Sequence, residues 1–224
     1  MTVLNELFQG FSQSLIIFFS TLVFAVPLGF LICFGSMSKL KVLKTITKAI
    51  VAVVRGTPLM LQLILVCYGP GLISTNLSWR VLMPEVNTSI MRLIIAVITF
   101  SLNYAAYFSE IFRGGIESIP KGQYEAGLVL GMNKRQIFNK VVLMQVIKRI
   151  VPPMSNEIIT LIKDTSLAQI ITVHELTMIA NQIGTSEGGA LWPLITAGLI
   201  YFVFNAIVTF FLNILEKKLK YIKV

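Results

Sequence analysis

Residues 12–36 read SQSLIIFFSTLVFAVPLGFLICFGS, a run without one charged side chain. A helix needs about 20 residues to cross the hydrocarbon of a bilayer, so this run predicts a spanning helix. Four further apolar blocks follow, at roughly 50–72, 88–112, 151–173 and 190–214. Lipid offers the backbone no hydrogen-bond partner, so such blocks must satisfy their own amides as helices. The composition agrees, with 55% hydrophobic and 13% charged residues and a mean hydropathy of +0.81. The expected class is an all-α multi-pass membrane protein, one transmembrane domain over residues 1–224 with five spans and no linker. The first block is too long for the apolar core of a signal peptide and no basic stretch precedes it, so no removable leader is expected.

The formal net charge of +9 would suggest nucleic acid in a soluble chain. Its placement argues for a membrane surface instead. Lys39, Lys41, Lys44 and Lys48 separate the first two blocks. Arg113, Lys121, Lys134, Arg135, Lys140, Lys148 and Arg149 separate the third and fourth, and Lys217, Lys218, Lys220 and Lys223 follow the fifth. The opposite segments hold Glu6, His174, Glu175 and Glu187 and, among basic residues, only Arg80 and Arg92. Positive charge is retained on the cytoplasmic side, which predicts an N-terminus outside and a C-terminus inside. Lipid is the expected surrounding and no nucleic-acid partner is expected. Cys33 and Cys67 lie inside apolar blocks and read as small core residues.

The connection at about 113–150 has internal order. Pro120 suits a first helical turn, Gln123–Leu130 reads as a short helix, and Gly131 is a natural stop. Asn133 and Gln136 have the spacing of a capping pair, so a second helix is expected to begin there. Ala126, Gly127 and Gly131 are small residues around the acidic Glu125. Such a surface lets a partner approach closely, although an amphipathic segment lying on lipid would look the same.

The fourth block carries Asn156, Glu157, Thr160, Lys163 and Asp164. At about 100° per residue Asp164 falls about −20° from Glu157, Thr160 about −60° and Lys163 about −120°, a single polar sector opposite Ile158, Ile159 and Ile162. Ionisable groups in a span are costly and mark function by default. Opposite charges beside amide and hydroxyl groups suit a zwitterion, the carboxylate meeting its ammonium and the lysine its carboxyl group. The same charges could pair with one another to fix packing. Asn103, beside Tyr104 and Tyr107, reads on its own as an interhelical hydrogen-bond group. Glu110 and Arg113, three residues apart, read as a local ion pair. Pro27, Pro58 and Pro152–Pro153 interrupt the spans, as kinks or as joints for rocking helices. No phosphate-binding glycine loop, metal cluster or Ser/His/acid set is present in the sequence, so catalysis is not expected of this chain.

Glu125-Ala126-Gly127-x-x-x-Gly131, with Ile137 and Leu143 downstream, resembles the EAA loop of ABC importer permeases, with Gly127 in place of a second alanine and Met144 in place of a proline. Arg55-Gly56-Thr57-Pro58-Leu59 with Gln62 resembles the second-helix signature of polar amino-acid permeases. So do the stretch from Ala106 to Gln123 and the set Pro152-Pro153, Asn156-Glu157 and Lys163-Asp164-Thr165-Ser166-Leu167. The resemblance, over about residues 10–218, implies the type I importer permease fold and a location in the bacterial inner membrane. It implies a second permease subunit, identical or paralogous, two ABC ATPase subunits and an extracytoplasmic amino-acid-binding protein. ATP and Mg would be bound by the ATPases and no cofactor by this chain. The helix around Glu125, Ala126, Gly127 and Gly131 would dock into an ATPase groove and transmit its closure. Asn103, Glu157, Thr160, Lys163 and Asp164 would form the substrate set, with Asn103, Glu157 and Lys163 matching substrate contacts in the family. An ATP-independent secondary transporter is the competing reading, and it leaves the EAA-like loop without a purpose. A membrane enzyme lacks its nucleophile or metal set. The transported amino acid is not specified by these residues.

Overall fold

The computed structural model describes residues 3–221, so Lys223 of the basic tail lies outside the described residues. These residues form helices α1 (Val3–Ser36), α2 (Lys41–Gly56), α3 (Leu59–Ile73), α4 (Trp79–Leu82), α5 (Thr88–Glu117), α6 (Lys121–Val129), α7 (Lys134–Ile137), α8 (Leu143–Asp164), α9 (Leu176–Ser186) and α10 (Trp192–Tyr221). The helix α5 is the centre. It buries Ile95, Phe100, Tyr104, Phe108 and Phe112 against α1, α3 and α8. Close approach of α1 to α5 needs a small residue, and Gly29 supplies it, because a Cβ there would sit 2.9 Å from that of Phe108. Beside it Phe30 and Phe112 stack at 3.9 Å. The outward faces of α1 and α10 stay apolar and exposed, with Phe19, Val23, Phe202, Phe210 and Phe211 among them. That is the expected surface toward lipid, where exposed apolar groups cost nothing.

Three helices, α1, α5 and α10, are long and apolar enough to cross a membrane, and α2 with α3 would make a fourth, broken crossing. The second apolar block is therefore not one helix, as the hydropathy alone predicts. It is bent by 105° between α2 and α3. Pro58 cannot donate to the helix ladder and drives Thr57 into extended backbone (φ −116°, ψ 144°). The carbonyls stranded at the end of α2 then need donors. The Thr57 hydroxyl donates to Val53 O (2.9 Å), and Gln62 Nε2 donates to Val54 O (2.7 Å) and to Thr57 Oγ1 (2.8 Å). The bend is thus a built joint. The helix α2 itself holds Lys41, Lys44 and Lys48, which the hydropathy places in a loop, opposite the exposed Val42, Ile46, Ile50 and Val53.

The fourth block also starts and ends differently. A π-helical turn at Phe138–Val142 joins α7 to α8, so the chain stays helical from Lys134 to Asp164, without a proline at Met144 to interrupt it. After Asp164 it narrows to a 3-10 helix, Thr165–Ile171, which Thr172 closes in left-handed backbone (φ 57°). The segment expected as an open loop around His174 and Glu175 instead introduces α9. Glu175 caps it, accepting from the amides of Thr177 (2.8 Å) and Met178 (2.7 Å), and α9 packs Leu176 and Ala180 against Leu7 of α1 and Ala197 of α10.

Between α5 and α8 the expected order is present. Asn133 and Gln136 form a reciprocal capping box at 2.9 Å in both directions. Gly131, at φ 71°, ends α6 by the usual reversal, with Gly131 N–H donating to Leu128 O and Met132 N–H to Gly127 O. Gly127 faces inward, where a Cβ on it would sit 2.6 Å from Ile137 Cγ1. Glu125 and Ala126 are exposed, and so are Val129 (88%) and Leu130 (77%) at the tip. The expected ion pair is present as a cluster, in which Arg113 donates to Glu110 (2.5 and 3.0 Å) and Glu117 (2.6 Å). Both cysteines are free and buried.

Candidate functional site

The bend, α5 and α8 enclose a recess of about 550 Å³. From the bend come Arg55, Thr57 and Leu59. Asn103, Tyr104 and Tyr107 come from α5, and Glu157, Thr160 and Asp164 from α8. In α8 the intervals are three, four and seven, and in α5 Tyr107 follows Asn103 by four residues and Tyr104 by three, so each set lies on one helix face. A second groove, between α1 and α5, holds about 500 Å³ and is lined by Ile16, Phe24, Leu28, Ile94 and Val97. It offers no charge to a polar solute. The recess carries both signs.

Hydrogen bonds hold some of these groups and leave others open. Asn103 Nδ2 donates to Gln62 Oε1 at 3.0 Å, so the interhelical role expected of Asn103 is real and ties α5 to the bend. Its carbonyl oxygen remains available on the recess side. The Tyr104 hydroxyl donates to Asp164 Oδ2 at 2.7 Å, which fixes one carboxylate to α5. Thr160 donates to Asn156 O within its own helix. Glu157, half-buried, forms no hydrogen bond or ion pair among the described residues. The mutual pairing that would make Glu157, Lys163 and Asp164 a purely internal set is not formed among these residues.

Of the substrate residues expected from the sequence, Asn103, Glu157, Thr160 and Asp164 meet at the recess. Lys163 does not line it and is exposed on the flank of α8. The angular arithmetic explains the split, because the recess takes only the sector from Glu157 to Thr160, about 60° wide, and Lys163 lies about 60° beyond it. The residue missed by that reading is Arg55. Its guanidinium sits 5.1 Å from the centre of the Tyr107 ring and 3.7 Å from Glu110 Oε2. One signal for it is present in the sequence: Arg55, like Arg92 and Lys163, is a basic residue inside an apolar block.

Residues 25–221 match the family described as "Binding-protein-dependent transport system inner membrane component". The L-cystine transport system permease protein of Bacillus subtilis (strain 168) is 36% identical over 198 residues, 88% of this chain and 79% of that protein. The arginine transport system permease protein of the same organism is 35% identical over 215 residues, 95% and 91% of the two chains. Among solved structures, an amino acid ABC transporter crystallised with histidines superposes with a TM-score of 0.82 at 28% identity, covering 96% of this chain and 94% of that one. The methionine ABC transporter MetNI, in inward-facing form, shares the fold with a TM-score of 0.64 at 16% identity, over 97% and 95% of the chains.

Proposed function

This chain belongs to the family of inner membrane components of binding-protein-dependent transport systems, as a multi-pass amino-acid ABC permease, and we propose that it is the pore subunit of an ATP-driven importer of polar amino acids. The observation that carries the reading is the recess between the bend, α5 and α8, where Glu157 stands unpaired beside Asn103, Thr160 and a tethered Asp164. A desolvated carboxylate without a protein partner is costly unless a ligand supplies the countercharge. The ammonium of an amino acid, or a cationic side chain, does so. Lys163 stays in the proposed set as a group of the wider pathway, exposed toward the space that a second permease subunit would complete.

In this reading α8 is the fifth crossing: its 22 residues reach about 33 Å at about 1.5 Å per residue. The N-terminus is outside, and the basic segments, with α6 and α7, are cytoplasmic. Two permease subunits form one pathway, two ATPases bind ATP and Mg on the inner side, and a solute-binding protein delivers the amino acid outside. The chain carries no catalytic residue of its own. Coupling runs through the α6 tip, where Glu125 and Ala126 lie beside the exposed Val129 and Leu130, with Gly131 setting the tip's angle and Gly127 seating α6 on α7. ATP binding closes the ATPases, the tip carries the motion to α5 and α8, and the recess is presented alternately to the two sides.

The test is uptake by proteoliposomes containing the permease, its ATPase and the binding protein. Accumulation of labelled amino acid should require ATP. Accumulation driven by an ion gradient alone would instead favour a secondary transporter. Gly131→Pro, which cannot take φ 71°, should keep the ATPase turning over while uptake falls at least ~10-fold, a loss of about 1.4 kcal/mol of coupling.

A further inference from the structure

The recess has a second charged group, Arg55, held only by a 3.7 Å ion contact with Glu110 and by the Tyr107 ring. Arg55 ends α2, at the negative end of the helix dipole, where a cation is favoured. The joint beneath it is fixed by the Thr57 and Gln62 hydrogen bonds and tied to Asn103, so the arginine projects from a rigid base. Its plane is steadied by the Tyr107 ring at 5.1 Å. Yet none of its five N–H donors makes a hydrogen bond among the described residues. The neighbouring carboxylate, Glu110, has both oxygens engaged by Arg113, and this leaves Arg55 at 3.7 Å, beyond hydrogen-bond distance. The Arg55 side chain is 42% accessible and faces the same space as Glu157. It is the one cation among the residues that line the recess.

We infer that Arg55 receives the carboxylate of the transported amino acid, while Glu157 holds its cationic group. The inference rests on the reading that the recess is the solute site, and it adds the end of the solute that is recognised and the residue that recognises it. A guanidinium offers two parallel donors to the two oxygens of a carboxylate, a geometry that lysine cannot reproduce. A zwitterion laid between Arg55 and Glu157 leaves neither charge unpaired. The same arrangement disfavours solutes that lack the carboxylate, and it disfavours acidic side chains, which would approach Glu157 and Asp164. The class that fits is neutral or basic amino acids with a free α-carboxylate.

The experiment measures equilibrium binding to the permease–ATPase complex in nanodiscs, without the binding protein. Labelled L-arginine, L-glutamine, L-histidine and L-cystine are each competed by the corresponding α-carboxamide. In the natural protein the best-bound amino acid should outcompete its amide by at least ~10-fold, the loss of one charge-assisted contact of about 1.4 kcal/mol. In Arg55→Gln the amino acid should fall to the level of its amide, with amide binding unchanged. Arg55→Lys, which keeps the charge and lacks the fork, should retain a preference of roughly threefold. Glu157→Gln and Lys163→Met should each preserve the preference for the carboxylate. Equal loss of amino acid and amide in Arg55→Gln would make Arg55 structural and overturn the inference while leaving the recess as the site. Loss of the preference in Lys163→Met instead would assign the role to Lys163. Failure of all four amino acids to bind the natural complex would overturn the site reading itself, and the inference with it.

Discussion

Glu175 and Glu157 are both carboxylates withdrawn from water, and they are treated in opposite ways. Glu175 is fully buried where α1, α9 and α10 meet. It receives the amides of Thr177 and Met178 and the hydroxyl of Tyr201 at 2.9 Å, with the Ser14 hydroxyl at 3.5 Å. Both of its oxygens have donors fixed by the fold. Glu157, at the recess, has none among the described residues. A buried charge saturated by its own chain holds structure together. A charge that the fold withdraws from water and leaves unmatched is, in the proposed reading, the group that meets the solute. Asp164 lies between the two, held by Tyr104 and still facing the recess.

The largest effect that probes this contrast comes from Glu175→Ala. It removes the cap of α9 and strands two amides and a buried hydroxyl, so the complex should lose about 2–4 kcal/mol of stability, read as a lowered melting temperature in detergent. The folded fraction should bind amino acid as before. A stable variant with altered binding would reverse the contrast. Next is Glu157→Gln, which should assemble and melt normally while amino-acid stimulation of the ATPase needs roughly tenfold more solute, about 1.4 kcal/mol. Unchanged solute dependence would remove Glu157 from the site. The smallest is Tyr104→Phe. Releasing Asp164 should cost about 1 kcal/mol in stability and change affinity by about threefold or less. An effect as large as that of Glu157→Gln would place Asp164 with the reserved charges.

Much of this is legible in the sequence. The long apolar runs appear as α1, α5 and α10, because lipid leaves the backbone one solution and the hydropathy reports it. The capping box at Asn133 and the stop at Gly131 were readable because each depends on a local rule about side-chain reach or φ. At Pro58 the sequence predicts a kink or a joint and not its angle. Its 105° turn depends on Thr57 and Gln62 taking up the stranded carbonyls, and that contact cannot be read from a hydropathy run. The helix α9 carries no such local signal, because its cap is a glutamate, outside the usual Ser, Thr, Asp and Asn set. The 3.6-residue period predicts the polar face of α8, and Glu157, Thr160 and Asp164 of it line the recess. How wide a slice of that face the neighbours enclose is tertiary information, and that slice excludes Lys163 and admits Arg55 from another helix.

The most direct measurement of the central claim is an experimental map of the assembled permease–ATPase complex with amino acid bound. Density for the solute is expected between Arg55 and Glu157, within reach of Asn103 and Thr160, once in each permease subunit. Solute bound elsewhere along the pathway, or a recess filled by a side chain of the second subunit, would contradict it.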